Sequence, residues 1–96
     1  MVTVWSKRAS AELQKAYLYI RMESLQNAVM VRDDIIDMTI ALAKYPTKYA
    51  PDKYKANNDG TWRAFEKHSF RVSYRIMPNE IRVVRLRHTS RSPLMF

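Results

Sequence analysis

The sequence contains no cysteine and a single glycine, Gly60. The lack of cysteine excludes disulfides, thiol nucleophiles and thiolate metal sites, and it is typical of proteins from a reducing cytoplasm. One glycine is too few for the glycine-rich loops that hold nucleotide phosphates, so a nucleotide-hydrolysing enzyme is excluded. No apolar run is long enough for a membrane span or the core of a signal peptide. The sequence therefore predicts a cytoplasmic protein.

Positive charge dominates the composition, with 17 Lys and Arg against 9 Asp and Glu and a formal net charge of +8. Residues 1–48 carry seven basic and five acidic residues, net +2, whereas residues 49–96 carry ten and four, net +6. Such a field attracts nucleic acid or an acidic protein and does not distinguish between them. The second half is therefore the part that we expect to meet an acidic partner.

The first half has a helical pattern. Residues 2–5 are β-prone, and Ser6 is a good helix N-cap. Apolar residues then recur at spacings of three and four in two stretches, which predicts two amphipathic helices ended by Pro46. The first stretch contains Ala9, Leu13, Ala16, Tyr17 and Ile20, and the second contains Ala28, Val31, Ile35, Met38 and Leu42, with Val29, Ile36 and Ile40 beside them. The last three would form a patch for a partner helix if they were exposed.

Residues 44–60 show no sustained period and are predicted to form a long basic loop. Its tyrosines alternate with lysines, among them Lys53 and Lys55 beside Tyr54. Such a mixture can stack on bases and bind phosphates. The alternative is that the tyrosine rings pack against the ends of the helices while the lysines remain solvated.

The second half alternates with a period of two, which predicts strands. Phe70, Val72, Tyr74 and Ile76 form an apolar face, and arginines form the other. Strands are predicted at residues 62–66, from residue 70 onwards, and at residues 81–88. One α+β domain over residues 1–96 follows, with the order β-α-α-β-β-β and a helical hairpin packed on a mainly antiparallel sheet.

This order, combined with three short motifs, resembles the RelE/ParE toxin superfamily. The motifs are the aromatic-arginine pair Trp62-Arg63, the strand segment with Arg71 and Tyr74, and the closing segment 85–93. The resemblance spans nearly the whole chain. It implies the toxin of a type II toxin–antitoxin system, which a cognate antitoxin protein neutralises.

Within that superfamily, RelE-like toxins cleave mRNA on the ribosome and ParE-like toxins inhibit DNA gyrase. The RelE-like interpretation implies a catalytic set without metal or cofactor: Arg71 and Arg91 at the phosphate, and His88 for proton transfer. The aromatic residue near the C-terminus is Phe96, which can stack on a base but cannot transfer a proton. Messenger-RNA cleavage is our first hypothesis, gyrase inhibition is the alternative, and a degenerate toxin that only binds its antitoxin is a third.

Target binding is predicted for further residues of the second half: Arg63, Lys53, Lys55, Arg85, Arg87 and Phe96. The arginines could equally be solubilising residues of the sheet or the surface on which an acidic antitoxin lands. His88 has the same strand parity as Val84 and Leu86, which favours a buried, hydrogen-bonded position over a catalytic one. His68 is predicted to be a turn residue.

Overall fold

The computed structural model describes residues 1–91. Four strands form one mixed sheet, with two helices packed on it. In chain order the elements are β1 (Val2–Trp5), α1 (Lys7–Arg21), α2 (Leu25–Ala41), β2 (Trp62–Lys67), β3 (Phe70–Ile76) and β4 (Glu80–His88). The strand order in the sheet is β1-β4-β3-β2, in which β1 runs parallel to β4 and the other pairs are antiparallel. The predicted α+β fold and element order are confirmed.

Both helices begin at a serine cap. The Oγ of Ser6 accepts a hydrogen bond from the backbone N–H of Ala9 at 3.0 Å, and the Oγ of Ser24 accepts one from that of Asn27 at 3.0 Å. These bonds satisfy backbone donors that have no partner within the helix. The loss of helical phase near residues 21–24 in the sequence corresponds to the short turn between the two helices.

The core lies between the helices and one face of the sheet. Ile35 and Leu42 near the C-terminal half of α2 are buried together with Val72 and Tyr74 of β3. The predicted apolar stripe of α2 thus faces the core, whereas Ile40, predicted to lie beside that stripe, is 59% exposed. Burial of this stripe is the main favourable contribution that holds α2 in place.

A β-bulge in β4 decides which side chains of that strand face the core. Ser73 is opposite Arg85 but Tyr74 is opposite Val83, so Val84 is an extra residue in β4. The buried residues of β4 consequently change from odd to even numbers, from Val83 to Leu86. The same shift places Arg85 and Arg87 on the face that lies away from the core.

The turn between β2 and β3 is formed by His68 and Ser69, which both have positive φ, 53° and 66°. Positive φ at two consecutive residues suits the right-handed twist of a tight hairpin. His68 donates from Nε2 to Oδ2 of Asp34 at 2.6 Å, which connects the turn to α2. The turn position predicted for His68 is confirmed. Within residues 1–91, neither helix has the length and apolar character that a membrane span requires.

Core packing predicts unequal effects for two isoleucines of α2. Ile35→Ala should lower the free energy of unfolding by about 3 kcal/mol, because it removes a fully buried side chain and leaves a cavity. Ile40→Ala, a matched change at an exposed position, should alter it by less than about 0.5 kcal/mol. Urea denaturation of both variants measures the difference, and equal losses would contradict this assignment of the helix faces.

Candidate functional site

A cleft of about 90 Å³ lies between strands β3 and β4 and the loop that precedes β2. Its walls combine four arginines with two carboxylates. We call this site the arginine cleft. It is lined by Asp52, Tyr54, Glu66, Arg71, Ser73, Arg85, Arg87, His88, Thr89 and Arg91.

Arg71 is the most constrained arginine of the cleft. Its Nη2 donates to Oδ1 of Asp52 at 2.8 Å, and its Nη1 donates to Oε2 of Glu66 at 3.1 Å. The guanidinium carbon also lies 4.8 Å from the centre of the Tyr54 ring. Two carboxylates and one aromatic ring thus fix the guanidinium, since charge-assisted hydrogen bonds are among the strongest in proteins.

Asp52 is held in place by the backbone around it. Its N–H donates to the carbonyl oxygen of Trp62 at 2.8 Å, and its Oδ1 accepts from the N–H of Tyr54 at 3.0 Å. Asn58 donates to the Asp52 carbonyl oxygen at 3.3 Å. The Asp52 side chain is only 1% exposed, so its negative charge needs a cation close by. Arg71 supplies that cation.

The other arginines of the cleft are paired less well. Arg85 Nε lies 3.4 Å from Oε2 of Glu12, which extends from α1. Within residues 1–91, neither Arg87 nor Arg91 has a carboxylate oxygen within 4.0 Å. The cleft therefore retains positive charge at its β4 side, while its β2 side is neutralised.

His88 lies at the exposed end of β4, and the prediction that it is buried is wrong. Its ring packs edge-on against Phe70, with ring centres 5.2 Å apart. The N–H of Ser90 donates to Nδ1 at 3.1 Å, and the Ser90 hydroxyl is 2.7 Å from the same nitrogen. Its side chain shares a face of the sheet with the paired Phe70, but it is exposed because it belongs to the last residue of the strand. His88 is one of the residues that line the cleft.

The structure brings together five of the residues predicted from the sequence: Arg71, Arg85, Arg87, His88 and Arg91. Arg63 lies elsewhere, where it donates to the carbonyl oxygens of Tyr49 at 2.7 Å and Gly60 at 3.1 Å. These hydrogen bonds connect β2 to the loop between α2 and β2. Phe96 falls outside the described residues.

Lys53 and Lys55 also lie outside the lining of the cleft. The Lys53 ammonium is 5.2 Å from the centre of the Tyr54 ring, and that of Lys55 is 4.9 Å from the Trp62 ring. Both lysines thus stand over aromatic faces of their own chain. They do not form the walls of the cleft.

The loop between α2 and β2 is anchored to the core at its start. The ring of Tyr49 packs on that of Phe65 with centres 5.0 Å apart, and the hydroxyl of buried Tyr74 donates to the carbonyl oxygen of Pro46 at 2.9 Å. Burial raises the pKa of Tyr74 to about 12, so the hydroxyl stays protonated as a donor. Near the end of the loop, hydrogen bonds from Thr61 lower the pKa of the exposed Asp59 carboxyl.

Sequence reasoning did not assign Asp52, Tyr54, Glu66, Ser73 or Thr89 to the site. Glu66 could have been found, because a two-residue turn at His68 and Ser69 pairs it with Arg71. Asp52 had no such signal. Its position depends on the path of a long loop, and only the folded chain reveals that path.

The comparisons with known proteins agree with this architecture. Residues 3–93 match the model of the ParE toxin of type II toxin–antitoxin systems, parDE. The match covers nearly the whole chain, and the chain therefore belongs to the ParE toxin family, within the RelE/ParE superfamily. It is a ParE-type toxin of a type II toxin–antitoxin system, with a cognate antitoxin as its partner.

A solved structure supports the fold. A chain of the chromosomal ParDE TA system from P. aeruginosa is similar with a TM-score of 0.70 and 21% sequence identity. The alignment covers 92% of this protein and 95% of that chain. At this identity the likeness concerns the arrangement of strands and helices. No curated protein matches the sequence.

The ion pair of Asp52 and Arg71 predicts a difference between two conservative substitutions. Asp52→Asn should lower the free energy of unfolding by about 2 kcal/mol, because it removes a buried charge that accepts a strong hydrogen bond. Glu66→Gln should cost less than about 1 kcal/mol, since that side chain is 56% exposed and its pairing is screened by water. Urea denaturation at neutral pH compares them, and a larger loss for Glu66→Gln would refute the ranking.

Proposed function

We propose that this toxin arrests growth by binding DNA gyrase, without cleaving RNA. The single observation that carries the proposal is the engagement of Arg71 by Asp52 and Glu66. The family relationship adds support, because the chain resembles ParE-like toxins, for which inhibition of gyrase is the expected activity. The arginine cleft is then a surface for recognition.

The chemistry of RNA cleavage explains why the state of Arg71 matters. Attack of a ribose hydroxyl on the adjacent phosphorus requires a base, an acid and positive charge on the phosphate oxygens. Both Nη groups of Arg71 already donate to carboxylates at hydrogen-bond distance. A phosphate would have to displace Asp52, whose position is set by the loop backbone. The cleft is thus poorly organised for the electrostatic part of the reaction.

Ribosome-dependent mRNA cleavage, the first hypothesis from the sequence, becomes the second candidate, and two observations favour it. Arg71, His88 and Arg91, the proposed catalytic residues, line the same cleft. The second carboxylate oxygen of Asp52, Oδ2, has no hydrogen-bond donor within residues 1–91 and could act as a base. This candidate requires Arg71 to exchange its carboxylate partners for a phosphate when RNA binds.

The antitoxin is proposed to dock on the helical hairpin with a helix of its own. A groove of about 240 Å³ opens between α1 and α2, with Leu13, Tyr17 and Ile36 among its lining residues. Ile40 is exposed on the same helix as Ile36, and Val29 is half-buried there. An amphipathic helix with apolar residues at spacings of three and four would fit such a surface.

The substitution His88→Ala separates the two candidates. A toxin that acts by binding gyrase should retain inhibition of supercoiling within about threefold, because one contact at a rim contributes little. A nuclease that uses His88 for proton transfer should lose about 100-fold to 10,000-fold in RNA cleavage. The variant is preferable to Arg71→Ala, since His88 is exposed and its loss should leave the fold intact.

The measurement combines a gyrase supercoiling assay on purified proteins with primer extension on mRNA from cells shortly after induction. Arg82→Gln, outside the cleft, is the control. We expect inhibition by the wild type, His88→Ala and the control, with no new RNA ends. New cuts inside translated codons that vanish in His88→Ala would contradict the proposal.

A further inference from the structure

We propose that the arginine cleft binds a carboxylate group presented by an acidic segment of a protein partner, with Arg87 and Arg91 as its ligands. This inference deepens the proposed function and rests on it, since it specifies how a recognition surface would engage a protein. It concerns the β4 side of the cleft, where Arg87 and Arg91 lack carboxylate partners within residues 1–91.

The strand register creates an unbalanced pair of like charges. Arg71 of β3 is directly opposite Arg87 of β4, and Glu66 of β2 is opposite Arg71. Like charges in opposite positions of neighbouring strands destabilise a sheet unless anions lie between or beside them. Asp52 and Glu66 compensate Arg71, but both lie on its β2 side. A further anion on the β4 side would balance the positive charge of Arg87.

Arg87 carries a donor that is suited to such an anion. Its Nε is buried and has no hydrogen-bond acceptor within residues 1–91. A buried donor without an acceptor carries a cost in free energy, which a ligand oxygen would remove. A planar guanidinium can donate from Nε–H and one Nη–H to the two oxygens of a carboxylate.

Two features favour a carboxylate on a protein over a nucleic-acid backbone. The Tyr54 ring already contacts Arg71 and Lys53, so it is poorly placed to stack on a base. The volume of about 90 Å³ suits a single side-chain carboxylate.

The test is a titration of the full-length, ¹⁵N-labelled protein at physiological salt, followed by NMR. The probes are a hexaglutamate peptide and hexathymidylate, which carry similar charge on different backbones. The arginine Nε–H resonances report directly on the proposed donors. We expect the peptide to shift the Arg87 Nε–H resonance in a saturable way, and hexathymidylate to bind there more weakly.

Matched substitutions distinguish a site from general attraction. Arg87→Gln and Arg91→Gln should each weaken peptide binding about tenfold, because each removes a charge-assisted hydrogen bond. Arg82→Gln removes the same charge from an exposed position of β4 that is paired with Glu80, and it should leave the affinity unchanged. Backbone amide spectra confirm that each variant is folded.

Several results would overturn the inference. An unshifted Arg87 resonance would show that no carboxylate binds there. If Arg82→Gln weakened peptide binding equally, binding would depend only on net charge. Tighter binding of hexathymidylate at Arg87 would indicate that the cleft binds nucleic acid. These outcomes can be distinguished from failure of the proposed function. Gyrase inhibition can persist when the peptide fails to bind. Conversely, a finding of mRNA cleavage would contradict the proposed function and leave the peptide result valid.

Discussion

The ion pair between Asp52 and Arg71 is the interaction on which the functional face of this protein depends. Asp52 belongs to a long loop without regular structure, and Arg71 belongs to the central part of the sheet. Their hydrogen bond of 2.8 Å holds the loop against the strands and thereby forms one wall of the cleft. Because the Asp52 carboxylate is almost fully buried, the loop cannot move away from Arg71 without leaving a buried charge unpaired or exposing it to solvent.

The same interaction divides the cleft electrostatically. Carboxylates surround Arg71, whereas Arg87 and Arg91 on the opposite side keep their charge available. The guanidinium of Arg71 is thus engaged within the protein itself. A divided cleft of this kind suits the recognition of an acidic surface, in agreement with the large positive charge of the second half of the chain.

The fold was largely predictable because its signals are local. The serine caps, the spacing of apolar residues in the helices and the period of two in the strands each depend on a few neighbouring residues. The bulge at Val84 and the parallel pairing of β1 with β4 depend on contacts between distant segments, and no local pattern predicted them. Arg71, His88 and Arg91 were predicted through the resemblance to a family. Arg85 and Arg87 were predicted from the positive charge of the strands, but Asp52 required the folded path of the loop.

A double-mutant cycle measures how strongly Asp52 and Arg71 stabilise one another in the folded protein. The free energies of unfolding of Asp52→Asn, Arg71→Gln and the double variant are measured in urea and compared with the wild type. If the two side chains stabilise one another as the structure indicates, their coupling energy should be about 1 to 3 kcal/mol. A coupling energy near zero would contradict a stabilising role for this ion pair, because the loop and the sheet would then be held together by other contacts.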